Sequence, residues 1–77
     1  MTELTVFLRH AKRSNNKELD LSKRELGFIP KDVFTIRAIE VLNLSQNKIV
    51  SIEPAIADLF RLKVLNLEEN SIVELPE

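Results

Sequence analysis

Three tetrapeptides, Leu19-Asp20-Leu21-Ser22, Leu42-Asn43-Leu44-Ser45 and Leu65-Asn66-Leu67-Glu68, begin at residues 19, 42 and 65, two equal intervals of 23. A chain whose apolar anchors return at a fixed period of this length has few folds open to it. Each period is one supersecondary unit that cannot bury its apolar face alone, so neighbouring units must stack. The match runs well past the tetrapeptide. Ile39, Leu42, Leu44, Asn47, Ile49 and Ile52 return as Leu62, Leu65, Leu67, Asn70, Ile72 and Leu75. An earlier copy reads Asn16, Leu19, Leu21, Arg24, Leu26 and Ile29, with no leading apolar residue and with Arg24 in place of the asparagine.

The spacing predicts how each unit is built. Two leucines separated by one polar residue face the same side of a short strand. Strands repeated at this interval lie side by side in a parallel sheet. The intervening residues must carry the chain back across the other layer, and their apolar positions (Val33, Ile36 and Ile39, then Ile56, Leu59 and Leu62) are three apart, which suits a helical or 3₁₀ turn. Pro30, Pro54 and Pro76 follow the last apolar anchor of each unit, where a fixed φ is tolerated and no ladder donor is needed. Asn47 and Asn70 are expected to turn inward as structural residues and to hydrogen-bond backbone groups of adjacent units, since a buried amide must be satisfied. The competing reading is an amphipathic stretch of some other α/β fold, which gives no reason for six anchors to recur at identical spacing.

These anchors meet the pattern L-x-x-L-x-L-x-x-N-x-L-x-x-L, and the chain resembles the intracellular leucine-rich-repeat class, whose units carry N-x-I-x-x-L-P. Residues 70–76 fit that run fully, and Asn47 to Pro54 fit it with the proline displaced by one. A short helix ending in basic residues, then L-x-L-S-x-R, then N-x-I repeats is similar to the start of short leucine-rich-repeat scaffolds, in which an arginine at the asparagine position marks the first unit. The resemblance covers essentially the whole chain. It implies an α/β leucine-rich-repeat solenoid, with a short parallel sheet on the concave face and an N-terminal capping helix. The expected division is a capping helix over residues 1–14 and repeats over 15–77, at about 16–38, 39–61 and an incomplete 62–77. The function implied is a protein–protein interaction scaffold, the N-terminal part of an intracellular repeat protein and a signalling adaptor. The alternative is the recognition arm of a larger multidomain signalling enzyme, a kinase or a ubiquitin ligase.

A stack needs polar ends. At the N-terminus Thr2 is a candidate helix cap, Glu3 sits in the first turn, and Arg9, Lys12 and Arg13 crowd the last. Leu4, Phe7, Leu8 and Ala11 form one apolar face at helical spacing, expected to cover the open edge of the first strand. A membrane-surface or partner-binding helix is the alternative for this segment. Ser14-Asn15-Asn16 should end the helix. No comparable cap is visible at the other end, so Leu65, Leu67, Ile72 and Leu75 are expected to present an apolar edge. Three explanations stand open: a fragment of a longer protein, a homodimer through that edge, or a short form that folds with its partner.

Composition narrows the partners. The 77 residues carry 11 basic and 12 acidic side chains, a net charge of −1, which gives no reason to expect nucleic acid. No apolar run approaches the roughly 20 residues of a membrane span, and Phe7 and Leu8 among Thr5, Arg9 and His10 do not read as a secretory leader. The lack of cysteine suits a reducing compartment, so a cytoplasmic location is expected. The partner expected is protein, with no cofactor and no metal. Catalysis is not expected either. His10 is the only histidine and lies off the apolar helix face, Gly27 is the only glycine, and neither a nucleophilic triad nor a phosphate loop can be assembled. Glu68-Glu69 reads as a solvated acidic turn.

Binding is expected on the outward residues of the strands, which form three columns: Glu18, Val41 and Val64; Asp20, Asn43 and Asn66; Ser22, Ser45 and Glu68. These positions are expected to be free of packing duty and presented on a rigid sheet. The face leans acidic, with Glu18, Asp20, Glu40, Glu68 and Glu69 against Lys17, Lys23 and Lys63, which favours a basic partner surface. Phe28 and Phe60 stand in register with the polar Ser51 and Arg37, and are expected to tuck into a neighbouring turn, the alternative being exposed aromatic contacts on the convex side.

Overall fold

The computed structural model describes residues 3–73. Helix α1 spans Glu3–Arg13, with Glu3 in its first turn and His10, Lys12 and Arg13 in its last, a charge order that complements the helix dipole. Strand β1 covers Glu18–Asp20, β2 Val41–Asn43 and β3 Val64–Asn66, three residues each. Between them lie two 3₁₀ return turns, Lys31–Thr35 and Pro54–Asp58. Thr2 as helix cap and Leu75-Pro76 lie outside the described residues.

The sheet is parallel in the order β1-β2-β3. Its register follows the repeat: Glu18, Leu19 and Asp20 pair with Val41, Leu42 and Asn43, which pair in turn with Val64, Leu65 and Asn66. The ladder continues past the strands, with the Leu21 N–H on the Asn43 carbonyl at 2.8 Å and the Leu44 N–H on the Asn66 carbonyl at 2.8 Å. Where each strand begins, one carbonyl takes two donors. The Lys17 carbonyl accepts the Glu40 and Val41 N–H groups at 2.7 and 2.9 Å, and the Glu40 carbonyl accepts those of Lys63 and Val64 at 2.7 and 3.0 Å.

The inward leucines, together with the return turns and α1, make a single apolar core. Leu19, Leu21, Leu42, Leu44, Ile29, Val33, Ile36, Ile39 and Ile49 are at most 2% exposed. Leu8 and Ala11 of α1 are buried, with Leu4 and Phe7 packed alongside. The chief partner of α1 is the first return turn rather than β1 itself, so the cap closes the back layer of the stack first. That neighbour also explains Phe34. It is 5% exposed, although the second turn has the exposed Ala57 at the same register, because only the first return turn is flanked on both sides. The helix ends in a Schellman arrangement. Asn15 takes φ 51, its N–H reaches the Lys12 carbonyl, and the Asn16 N–H reaches the Ala11 carbonyl at 3.1 Å.

Past each strand the chain bends sharply at a left-handed residue at the same register, Lys23 at φ 57, Gln46 at φ 56 and Glu69 at φ 56, and the first unit adds a second at Glu25, φ 58. None of these is glycine, so each bend carries conformational strain, about 1–2 kcal/mol for a residue with a Cβ. The two asparagines offset part of it by tying turn to turn. The Asn47 amide donates to the Leu21, Leu44 and Ser45 carbonyls at 2.9, 2.9 and 3.3 Å, while its Oδ1 accepts the Arg24 and Leu26 N–H groups. Asn70 repeats the pattern one turn on, donating to the Leu44, Leu67 and Glu68 carbonyls and accepting from the Ile49 N–H. The first unit has no earlier turn to tie. There Arg24 lies instead with its guanidinium 5.0 Å from the centre of the Phe7 ring, fastening the cap helix to the stack.

Two expectations need correction. Phe28 and Phe60 do not tuck into neighbouring turns; they are 66% and 70% exposed. Their register partners are polar and none of the four positions is buried, so the register itself faces away from the core.

Candidate functional site

The solvent-facing side of the sheet is built by alternation. In β1 the middle residue Leu19 is buried while Glu18 and Asp20 are exposed, and the same phase holds across β2 and β3. Strand register therefore lines up Glu18, Val41 and Val64 in one row and Asp20, Asn43 and Asn66 in the next. Glu18, Leu19, Asp20, Val41 and Asn43 line a shallow depression of about 310 Å³ on this side. Val64 adjoins it at 52% exposure, an apolar strand residue facing water. The row thus runs from a carboxylate through two valines, with a polar row beside it.

The second row is less free than its outward position suggests. Each member accepts the backbone N–H two residues on: Asp20 from Ser22 at 2.9 Å, Asn43 from Ser45 at 3.0 Å and Asn66 from Glu68 at 3.0 Å. These bonds set up the bend that follows each strand, a turn-forming role that the expectation of freedom from packing did not consider. The Ser22 hydroxyl also donates to Asp20 Oδ1 at 2.7 Å. The Asp20 carboxyl is accordingly held below the usual carboxylate range, chiefly by the Ser22 hydroxyl and then by the Ser22 N–H, with Arg24 and Lys23 adding attraction.

The third column is uneven. Ser22 is partly buried and Glu68 is exposed, but Ser45 is buried at 9% exposure. Its carbonyl accepts the Lys23 N–H and the Asn47 amide, as the Glu68 carbonyl accepts the Gln46 N–H and the Asn70 amide, so it is burial that sets Ser45 apart from the rest of its column. Asn47 is buried as well, and Asn70 partly so. Of the charged residues around the face, Glu40 is paired with Lys63 at 3.3 Å, which leaves the acidic lean to Glu18, Asp20, Glu68 and Glu69.

Sequence reasoning did not anticipate the Arg24–Phe7 contact, and it held the exposure of Phe60 only as an alternative. Both carried a faint signal, since Arg24 and Phe60 are departures from the register that the other units keep. Among the described residues no group of three or more His, Cys, Asp or Glu could hold a metal ion. Nor is any described helix long and apolar enough to cross a membrane.

Comparison with known proteins agrees with this geometry. A family model described as Leucine rich repeat matches residues 14–72, which takes in all three strands and both return turns. No curated protein matches the chain.

Proposed function

The chain belongs to the leucine-rich-repeat family, and we propose that it is a protein-binding scaffold whose outer sheet face is the concave, partner-facing side of a short solenoid. Domains of this family generally mediate protein–protein interaction and are typically non-catalytic. The observation that carries the reading is the row Glu18, Val41, Val64, in which an apolar strand residue left 52% exposed stands in register with a half-buried valine and a carboxylate. A small apolar centre with acidic neighbours on a hydrogen-bonded sheet suits a partner offering an apolar side chain flanked by basic ones. The contacting residues in this proposal are Glu18, Asp20, Ser22, Val41, Asn43, Val64, Asn66 and Glu68. Resemblance of the N-terminal region to Ras suppressor protein and related short scaffolds supports a signalling adaptor working in the cytoplasm.

Photo-crosslinkers placed singly at Val41 and Val64, and at Val6 and Val50 as exposed or partly exposed controls elsewhere, test the proposal in cells. Adducts confined to positions 41 and 64, and lost when Glu18→Arg is added, are expected. Equal adduct formation from the control positions would sink it.

The open side of β3 favours a second reading, self-association. Leu65, Leu67 and Ile72 are only partly buried where their counterparts one turn earlier are fully so. Sedimentation across a concentration series decides this: a dimer that dissociates on dilution is expected, and a monomer at every concentration excludes it.

A further inference from the structure

The segments leading into the three strands bring together a cleft that the sheet face does not include. Asn15, Lys17, Arg37, Ala38, Phe60 and Arg61 line it, around a volume of about 370 Å³. The repeat places them: Asn15, Ala38 and Arg61 occupy one register position in three successive units, and Arg37 and Phe60 occupy the position before it. Three cations, Lys17, Arg37 and Arg61, one from the segment leading into each strand, face a space whose lining contains no carboxylate. Neither Lys17 nor Arg37 nor Arg61 is among the ion pairs of the described residues, which are Lys48–Glu25 and Lys63–Glu40. The second of those pairs engages the carboxylate of Glu40, the residue whose N–H bonds the Lys17 carbonyl.

The apolar member is Phe60, 70% exposed, with the Arg61 guanidinium 5.8 Å from its ring centre. At that distance the cation only grazes the ring, and most of the aromatic face is left to solvent. Single exposed apolar residues are common and mean little. Here the aromatic sits within a cationic cleft, at a register position that is a cation in the unit before, Arg37. The walls are fixed by backbone bonds: Asn15 by the helix-ending pair, Lys17 by the two N–H groups on its carbonyl, and Leu62, next to Arg61, by its N–H on the Leu59 carbonyl at 3.0 Å. A ligand therefore meets pre-ordered backbone, and mainly side chains must settle.

We infer that this cleft is a second protein-binding site, one that takes a short acidic peptide segment carrying an aromatic side chain. Arginines and a lysine pair with carboxylates, Arg in the two-pronged manner that suits them, while the exposed Phe60 ring receives the aromatic group. Charge complementarity selects the occupant. The neighbouring sheet face is acidic, through Glu18, Asp20 and Glu68, so a long polyanion such as a nucleic acid would be repelled as it left the cleft, whereas a short acidic segment ends within it. This site is opposite in charge preference to the sheet face and does not depend on it.

The test is a backbone amide NMR titration of the chain with the capped pentapeptide Glu-Glu-Phe-Glu-Glu at low salt. Shifts centred on Asn15, Lys17, Ala38, Phe60 and Arg61 are expected, with binding weakened roughly tenfold or more by Arg61→Glu or Arg37→Glu. Loss of most of the affinity is also expected for Phe60→Ser, while Phe28→Ser, removing the other exposed phenylalanine, and Val64→Arg on the sheet face leave it unchanged. All these positions are exposed, and amide dispersion confirms that each variant is folded. Absence of shifts in the cleft overturns the inference. So does equal binding of a Lys-Lys-Phe-Lys-Lys peptide, or tighter binding of a single-stranded deoxythymidine decamer. Cleft shifts that grow with protein concentration alone also overturn it, because the occupant is then a second copy of the chain.

Discussion

The second and third units of the stack carry the same residue types at the same register, yet they do not hold them equally. Leu42, Leu44 and Ile49 are 0% exposed; Leu65, Leu67 and Ile72 are only partly buried. Asn47 has both oxygen acceptor bonds made and is buried, whereas Asn70 accepts from the Ile49 N–H and is partly exposed. The difference lies in the neighbours. The second unit has a strand on either side, and the third has β2 on one side only. Position in a repeat thus says which way a side chain points, and position in the stack says how much that orientation is worth.

The largest effects should come from truncating the paired leucines. Leu42→Ala empties a fully enclosed site and is expected to cost about 3 kcal/mol or more, against about 1 kcal/mol for Leu65→Ala, whose site already admits water. Urea denaturation of the two variants checks this, and equal losses would mean that the third unit is buried in solution, by a second copy or another partner. Next come the asparagines. Asn47→Ala leaves the Arg24 and Leu26 N–H groups and the Leu21 carbonyl without their partner, a loss of about 2–3 kcal/mol, while Asn70→Ala should lose about 1 kcal/mol because water can replace part of what it offered. Thermal melts of the pair, read beside wild type, provide the measurement.

A smaller change should ignore the comparison altogether. The bend residues Gln46 and Glu69 share φ 56, so the strain is local and identical. Gln46→Gly and Glu69→Gly should each stabilise the chain by about 0.5 kcal/mol, the relief of the left-handed strain less the extra freedom glycine has when unfolded. Unequal gains would show that the bends feel the stack. The smallest effect separates the first unit from the others by charge. Asp20 makes the turn bond that Asn43 and Asn66 make, but it titrates. Its carboxyl is held below the ordinary value of 3.8 in the fold, so its ionised form favours the fold above that value, and the contribution is lost as pH falls through the lower folded value. Asp20 is well exposed, so the effect should be small; Asp20→Asn should flatten the acid limb of the stability–pH profile slightly, and a carboxyl-carbon NMR titration should place its midpoint below 3.8.

Most of the fold was legible because alternation and period are properties of the chain alone. Leu19-Asp20-Leu21 states which side of a strand is apolar, and the interval to Leu42 states which residue it will lie beside. The return turns were legible from Ile56, Leu59 and Leu62 for the same reason. What escaped depends on three-dimensional neighbours that the period does not encode. Phe34 is buried only because α1 lies against its turn, whereas Phe60 stands at a register position that is exposed in the preceding unit as well, at Arg37. Ser45 shows a further limit: it is buried although Ser22 and Glu68 at the same register are more open, so register alone did not give its exposure. The role of Asp20, Asn43 and Asn66 as turn acceptors was visible in their residue types, all of which bond their own backbone readily, but the outward phase suggested a partner instead.

The two paired steps of the sheet, Glu18 to Val41 and Val41 to Val64, join residues separated by the same length of chain. This has a consequence for how the protein acquires its shape. The entropy lost in closing a loop depends on its length, and here every closure has the same length, so no step requires the ends of the chain to find each other. Whichever of the two closures comes first meets no ordered surface and is the slow one. The next lays its strand on a surface already formed, and order spreads along the chain one turn at a time, as in a zipper whose teeth are evenly spaced. Amide hydrogens should record the difference in burial: those of Leu21 and Leu44 exchanging with solvent more slowly than those of the exposed Ser71 and Val73.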